Sequence, residues 1–206
     1  MSARLPARER RRQLLDRALP VFAAHGYRGT SMNQIAEAAG VTKPVLYQHF
    51  ASKRELFSEL LVDVGGQLEE AILKATAAEG PRGQVEAGFR AYFRFVAERT
   101  DAFRVLFGAG TRHDAEFAQT VRHFESGMAD IIANLIRIEG LDQERRRLLA
   151  HGIVGIAEVT SRHWLAGADQ ADRADDGSPV VDPDPDTLAA QVADLAWAGL
   201  RGIHPR

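Results

Sequence analysis

The 206-residue sequence contains no cysteine, which excludes disulfide bonds and thiolate metal sites and fits a reducing cytoplasm. It also lacks any run of about 18 consecutive apolar residues, so we expect no transmembrane helix. The N-terminal segment has basic residues but not the continuous apolar stretch of a signal peptide. These absences predict a cytoplasmic protein with no membrane partner.

The signatures of catalysis are missing as well. The sequence shows no nucleophile–base set, no phosphate-binding loop and no pair of carboxylates at a catalytic spacing. His151 and His163 are separated by about 120° around one helix, and neither they nor His113 and His123 form a metal-binding pattern. We therefore expect no catalytic residues, no metal and no cofactor, and an enzyme is the least supported class.

What the sequence does contain is helical periodicity. Leu14, Ala18 and Phe22 fall on one face of a helix from roughly residue 7 to His25, which Gly26 is placed to end in the left-handed conformation. Pro20 inside that helix predicts a kink. Further amphipathic segments follow at about 31–39, 42–49, 52–79, 83–99, 101–108, 114–138, 142–165 and 186–203. No β-type alternation occurs, so the predicted fold class is all-α.

Charge divides the chain unevenly. Residues 1–54 hold ten Lys or Arg against three acidic residues, whereas the remainder holds 16 against 25. A basic end on an acidic body suggests an anionic partner, and nucleic acid is the first candidate. A solvated basic face with no partner explains the charge alone equally well.

Three short helices in the first 50 residues, the last two joined by "AGVT", match a helix-turn-helix. At about 100° per residue, Leu46 and Phe50 share the inner side of the third helix, while Pro44 and Gln48 lie opposite. Pro44 falls in the first turn, where its missing N–H has no intrahelical partner to lose. Gln48 can pair with an adenine edge, Lys43 can reach guanine or phosphate, and Pro44 can touch a thymine methyl.

Other polar side chains around this helix are suited to phosphate oxygens. They are Ser31, Thr42, Tyr47, His49 and Lys53. For any one of them alone, an ordinary surface residue is the better explanation. As a set on the outer face of the second helix of a tight turn, they favour DNA.

The stretch from Leu14 to Phe57 resembles the DNA-binding module of TetR-type transcriptional regulators. The resemblance rests on these residues: Ala18, Phe22, Gly26-Tyr27, Thr30-Ser31, Ile35-Ala36, Ala39-Gly40-Val41, Leu46-Tyr47, His49-Phe50, Lys53 and Leu56. It implies phosphate contacts by Thr30 together with the five residues above, and base readout by Lys43, Pro44 and Gln48. The family commonly has glycine where Pro44 stands, so base preference at that point does not carry over.

The resemblance also implies a domain layout. Residues 1–54 would form the DNA-binding domain, with a recognition helix at about 42–49, and residues 55–206 a helical ligand-binding and dimerisation domain. A segment at about 167–186 carries seven aspartates and three prolines without periodicity, which predicts a mobile acidic loop. Small residues in the last two helices allow close approach to a second copy, and Gly155, Leu195 and Trp197 are the candidates for that interface. The same helices would also suit the core of a monomer.

Phe89, Phe93, Phe103 and Phe107 cluster in two adjacent predicted helices and could line an apolar ligand pocket, although an ordinary helical core is the better explanation of any one of them. The leading hypothesis is a homodimeric, sequence-specific regulator that binds a palindromic operator on double-stranded DNA in the nucleoid. We expect a repressor released by a small apolar effector. A DNA-bound scaffold or nucleoid-organising protein using the same module is the alternative.

Overall fold

A computed structural model describes residues 6–77, 80–171 and 184–203, and in these ranges the chain forms helices and no strand. The helices are α1 (Ala7–Gly29), α2 (Met32–Ala38), α3 (Lys43–His49), α4 (Lys53–Thr76), α5 (Pro81–Glu98), α6 (Thr100–Phe107), α7 (Ala109–Arg112), α8 (Ala115–Leu135), α9 (Gln143–Ala171) and α10 (Pro185–Arg201). The all-α prediction is confirmed. The chain divides into two compact units, one of residues 1–66 and 99–124, the other of residues 67–98 and 125–206.

Glycines and caps set the helix boundaries near the N-terminus. Gly26 has a φ of +66°, and it interrupts the helical angles of α1 as predicted. Pro20 lies inside α1, where the backbone keeps helical angles, so the departure expected at the proline falls at the glycine instead. Ser31 begins α2 with a capping box, in which its hydroxyl accepts from the Gln34 N–H and the Gln34 side chain accepts from the Ser31 N–H.

The core of the first unit contains an aromatic cluster. Phe57 meets Phe22 and Phe117 edge to face, with ring centroids 4.7 Å apart in both pairs. Tyr27 packs on Phe57 at 5.1 Å and on Phe117 at 4.7 Å. Such edge-to-face pairs add about 0.5–1.5 kcal/mol each beyond the burial of their area. The cluster fixes α1 against the start of α4 and α8.

In the second unit, α5 packs along α10 and against α9. Phe93 is fully buried there, stacked on Phe89 at 6.3 Å and edge-on to Trp164 at 6.3 Å. A second apolar cluster joins the end of α8 to the start of α9. Its buried members are Ala129, Ala133, Ile136, Leu141 and Ala150.

Two predicted segments differ from the structure. The segment at about 114–138 is preceded by a separate helical turn, α7, and ends at Leu135. The acidic loop predicted at about 167–186 is helical at both ends, because α9 continues through Ala171 and α10 begins at Pro185. Asp184 explains the second boundary, since its carboxylate accepts from the N–H groups of Asp186 and Thr187 and so caps α10. The middle of that segment, 172–183, lies outside the described residues.

Candidate nucleic-acid interface

The turn between α2 and α3 is built by a glycine and closed by backbone hydrogen bonds. Gly40 has a φ of +64°, a conformation that L side chains rarely adopt. The Val41 N–H then donates to the Ala36 carbonyl at 2.9 Å. Thr42 is the N-cap of α3, and its carbonyl accepts from the Leu46 N–H at 3.1 Å. The turn therefore holds α2 and α3 in the helix-turn-helix arrangement.

The recognition helix has the two faces that its periodicity predicts. Leu46 and Phe50 are fully buried. Lys43, Pro44 and Gln48, the predicted base readers, are all exposed. Pro44 occupies the first turn, where the helix needs no N–H from it. The structure therefore brings the three predicted base readers to one exposed side of α3.

Four of the predicted phosphate contacts surround this face. Ser31, Thr42 and Tyr47 are exposed and His49 is half-buried. The Tyr47 ring is 43% exposed and lies 6.0 Å from the Lys43 ammonium, close enough for a weak cation–π contact. The side chain of Thr42 makes no capping bond, so its hydroxyl is not committed to the helix that it begins.

Thr30 is not brought to this surface. Only 3% of it is exposed, and its hydroxyl donates to the Gly26 carbonyl at 2.8 Å and to the Val21 carbonyl at 3.3 Å. These bonds satisfy carbonyl groups left without partners where α1 ends. In this conformation the Thr30 hydroxyl stabilises the end of α1 and does not face the surface on which a phosphate would bind.

Lys53 has a different environment from a freely extended surface lysine. Its ammonium lies 2.7 Å from the carbonyl oxygens of both Tyr27 and Thr30, and 4.5 Å from the centre of the Tyr27 ring. An ammonium group has three donors, so these two bonds leave one for a phosphate. Lys53 therefore ties the start of α4 to the end of α1 beside the predicted DNA face.

Arg11 positions the recognition helix, a role that the sequence alone does not indicate. Its guanidinium donates to both Glu55 and Glu59 on α4 and to the His49 carbonyl at the end of α3. It also stacks 4.3 Å from the centre of the Phe50 ring. The hydrogen bond that Arg11 donates to Glu59 is the largest of the effects that raise the pKa of Arg11, and burial opposes it. Arg11 thus fixes the C-terminal end of the recognition helix.

Arg54 is a second basic residue of the N-terminal segment that is occupied by protein partners. It donates to Asp114 at 2.9 Å and to Glu116 at 2.7 Å, and it lies 4.8 Å over the Phe117 ring. Asp114 also accepts from the Glu116 N–H at 3.1 Å and so caps α8. Part of the basic excess read from the sequence is therefore neutralised within the first unit.

The other predicted site residues fall in two places. Phe103 and Phe107 are buried in the first unit with ring centroids 5.0 Å apart, whereas Phe89 and Phe93 are buried in the second. Leu195 on α10 is 63% exposed, and Gly155 and Trp197 are half-buried. Their assignments to a ligand pocket and a dimer interface stay predictions.

In the described ranges no group of His, Asp or Glu side chains is arranged to hold a metal ion, and none of the helices described could span a bilayer.

These features define a helix-turn-helix DNA-binding module followed by a larger helical body. Comparison with known proteins gives the family. Residues 14–60 match the model of bacterial regulatory proteins of the tetR family, and residues 81–199 match that of the tetracyclin repressor-like C-terminal domain. The chain belongs to the TetR family of transcriptional regulators, which confirms the resemblance seen in the sequence and the expectation that it is not an enzyme.

One curated relative matches nearly the whole chain. It is the HTH-type transcriptional activator FasR of Mycolicibacterium smegmatis, 33% identical over 97% of this chain and 87% of its own length. A TetR-like transcriptional regulator from Rhodococcus sp. RHA1 has a similar structure, with a TM-score of 0.75, 28% identity and coverage of 97% of this chain and 100% of its own. FadR from Bacillus subtilis, solved with stearoyl-CoA, shares the fold at a TM-score of 0.74 and 22% identity, over 94% of this chain and 99% of its own.

Proposed function

We propose that this regulator binds a palindromic operator as a homodimer, with α3 in the major groove, and that a small apolar effector releases it. The observation that carries the proposal is the arrangement of α3. Its inner face is fully buried through Leu46 and Phe50, and its outer face presents Lys43, Pro44 and Gln48 to solvent. A rigid helix with exposed hydrogen-bonding side chains is what major-groove readout requires. The protein would act in the cytoplasm, at the nucleoid.

The residues divide into readers and anchors. Gln48 would pair with an adenine edge, Lys43 would reach guanine acceptors, and Pro44 would offer its ring to a thymine methyl. Ser31, Thr42, Tyr47, His49 and Lys53 would hold phosphates, which fixes the register of the helix on the duplex without reading sequence. Their exposed or half-buried positions beside α3 support this division.

The homodimer is supported by exposed apolar surface on α9 and α10. Leu148 is 71% exposed, Val159 55% and Leu195 63%, so both helices present large aliphatic side chains to solvent. Leu148, Gly155 and Val159 follow one another at helical spacing on α9, and an added Cβ at Gly155 would meet nothing within 4 Å. A second copy could therefore approach closely here. Two-fold symmetry would place two recognition helices about 34 Å apart, in successive major grooves.

An apolar effector is supported by the aromatic residues of the helical body. Phe89 and Phe93 stack on each other beside Trp164, and Phe103 packs on Phe107. FadR, which shares the fold, was solved with stearoyl-CoA, a molecule with a long apolar chain. The effector would act by favouring a state in which the two recognition helices no longer match the spacing of the half-sites.

The direction of control has two candidates. Repression is the first, because a dimer that occupies promoter DNA excludes polymerase without any further surface. Activation is the second, and FasR, a relative that matches nearly the whole chain, is named an activator. Transcription in vitro from a promoter bound by the protein separates them, since added protein lowers the transcript in the first case and raises it in the second.

The proposal is tested by DNA binding. Fragments from upstream of the gene and its neighbours are titrated in fluorescence anisotropy at several salt concentrations, against a shuffled fragment of the same composition. We expect at least one fragment to bind far more tightly than its shuffled control, with an affinity that falls steeply with salt. Equal binding to all fragments, together with occupancy scattered over the chromosome, would instead support a nucleoid-organising protein. No binding at all would contradict both.

A further inference from the structure

The Arg11 guanidinium connects α1 to two other helices of the first unit. It donates to the Glu59 carboxylate through Nε at 2.8 Å and again through Nη2. Nη2 also donates to Glu55 Oε1 at 3.1 Å, and Nη1 donates to the His49 carbonyl. The group lies 4.3 Å from the centre of the Phe50 ring. One planar cation therefore binds α4 and the end of α3 at the same time.

These contacts hold both sides of the connection between α3 and α4. His49 is the last residue of α3, where the helix leaves its carbonyls without intrahelical partners. Arg11 supplies a donor for the His49 carbonyl, and Glu55 Oε2 accepts from the Ala51 N–H at 2.7 Å. Phe50 lies between the two and is fully buried. The direction in which the chain leaves the recognition helix is therefore fixed.

The positive charge of Arg11 is balanced inside the protein. Glu55 and Glu59 both accept from it, so one positive charge meets two negative ones, a net charge of −1. An arginine that binds a phosphate adds a positive charge to the DNA-binding surface and increases the salt dependence of binding. A guanidinium that is already paired with two carboxylates adds no such charge. The arrangement therefore favours a geometric role for Arg11 over a phosphate contact.

Stability alone does not account for the cluster. The Arg11 side chain is 32% exposed, and those of Glu55 and Glu59 are 40% and 38% exposed. Ion pairs with this exposure contribute little to the free energy of unfolding, because water competes for both charges. The planar fork of an arginine does, however, impose a fixed orientation on the groups that it binds. Orientation of the helices is therefore what the cluster supplies.

Orientation matters more for reading bases than for binding phosphates. Gln48 immediately precedes His49, so a displaced helix end moves Gln48 with it. The two hydrogen bonds of a glutamine to an adenine edge both require short distances and good alignment. Phosphate contacts depend mainly on charge and carry no sequence information. A small rotation of α3 should therefore reduce discrimination between sequences before it reduces binding to DNA in general.

We infer that Arg11 is a specificity-determining residue of this regulator. It contacts neither base nor phosphate, and it holds α3 at the angle from which Gln48 reaches a base edge. The inference rests on the proposed function, in which α3 reads the operator. It adds a residue outside α2 and α3 on which the discrimination between operator and other DNA depends.

Two variants break the arrangement without changing the net charge. Arg11→Lys keeps the positive charge but loses the planar fork, and Arg11→Met combined with Glu59→Gln removes one charge of each sign. Anisotropy gives the ratio of the affinities for the preferred DNA fragment and for its shuffled control. In both variants this ratio should fall by about five- to tenfold, as expected when one paired base contact is misaligned. The affinity for the shuffled fragment and the salt slope should be those of wild type.

A neighbouring ion pair provides the control. Arg12, the next residue of α1, pairs with Asp63 on α4 at 3.3 Å and with Asp16 on α1 at 3.4 Å. The double variant Arg12→Met with Asp63→Asn therefore removes an ion pair that joins the same two helices at a point away from the end of α3. Its ratio of affinities should be that of wild type.

Hydrogen exchange without DNA measures the position of the helix directly. The Phe50 N–H donates to the Leu46 carbonyl at 3.0 Å and closes the last turn of α3. Amides of α3, this one included, should exchange several-fold faster in both Arg11 variants. In the Arg12 control they should exchange at the wild-type rate.

Three results would overturn the inference. Wild-type discrimination by Arg11→Lys would show that a positive charge alone is sufficient. Equal losses in the Arg11 and Arg12 double variants would show that any ion pair between α1 and α4 has this effect. Weaker binding of both fragments by the same factor would assign Arg11 to a phosphate. Failure of the proposed function differs from all three, because wild type would then bind the fragment and its shuffled control equally, while exchange in α3 would still report on Arg11.

Discussion

The Lys53 ammonium lies 2.7 Å from the Thr30 carbonyl oxygen, at the point where α1 ends and α4 begins. The bond joins two residues of the DNA-binding module that are 23 positions apart in the chain. Lys53 therefore holds the module together, and the proposed phosphate contact would use the same ammonium.

Replacing Lys53 with alanine should affect both roles. Binding should weaken by a similar factor on all DNA sequences, and the salt dependence should become shallower by about one unit in the log–log slope. Because two charge-assisted hydrogen bonds are also lost, the free energy of unfolding should fall by about 1.5–3 kcal/mol. Anisotropy across a salt series and urea denaturation give the two values. A change in base preference would show that Lys53 does more than anchor the backbone.

Gln48→Ala should change the base preference of the protein and leave the salt dependence of binding unchanged, the reverse of the Lys53 variant. If Gln48 pairs with an adenine, the variant loses about 1–3 kcal/mol of operator affinity and tolerates other bases at that position. Its salt slope should be that of wild type, since no charge is removed. Gln119→Ala makes the same substitution on an exposed position of α8 and is expected to change neither quantity. Identical behaviour of the Gln48 and Lys53 variants would contradict the division into readers and anchors.

Leu195→Glu should convert the dimer to a monomer. The Leu195 side chain is 63% exposed on α10. Two-fold symmetry would place one carboxylate from each copy in the apolar interface, and both would lose their hydration. Light scattering after size exclusion should give the 22.6 kDa mass of one chain, where wild type should give twice that value. Val62→Glu, at a position 64% exposed on α4, should leave the dimer intact. A monomeric wild type would refute the proposed interface.

We expect Asp186 to contribute to the pH dependence of stability. The hydrogen bond from Arg94 is the main cause that holds the pKa of Asp186 below its ordinary value of 3.8. As pH falls, the unfolded chain therefore takes up this proton before the folded one, and the stabilisation present above about pH 4 is lost through the folded pKa. Asp186→Asn should unfold more easily at neutral pH and lose less stability on acidification, measured by urea denaturation. Asp194→Asn, which removes one 3.3 Å contact to Arg82, should follow the wild-type profile.

Local patterns explain what the sequence could predict. The burial of Leu46 and Phe50 and the exposure of Gln48 follow from the period of an isolated helix. The caps at Ser31 and Gly26 likewise depend on residues within one turn. The order of the helices and the faces of α3 were therefore predictable.

Contacts between residues far apart in the chain could not be predicted from the sequence. Arg11 binds Glu59 across 48 positions, and nothing in the basic run around it distinguishes it from its neighbours. In the sequence Thr30 resembles an exposed hydrogen-bond donor, but in the structure its hydroxyl donates to the Gly26 carbonyl at the end of α1. Such contacts depend on which helices pack against each other, and the periodicity of a single helix does not show this. Whether the predicted residues touch DNA, an effector or a second copy stays a prediction.

The adjacent glycines of α4, Gly65 and Gly66, also differ through a contact with a distant residue, which the sequence around them does not reveal. Gly65 is buried, and a Cβ added to it would lie 3.0 Å from the Phe124 ring, whereas a Cβ at Gly66 would meet nothing within 4 Å. Gly66→Ala should stabilise the protein by about 0.5–1 kcal/mol, because alanine is the better helix former. Gly65→Ala gains the same propensity but must displace a ring, at a cost of about 1–3 kcal/mol, and should be neutral or destabilising. Urea denaturation of the two variants measures the difference, and equal stabilisation by both would mean that Phe124 does not require the glycine.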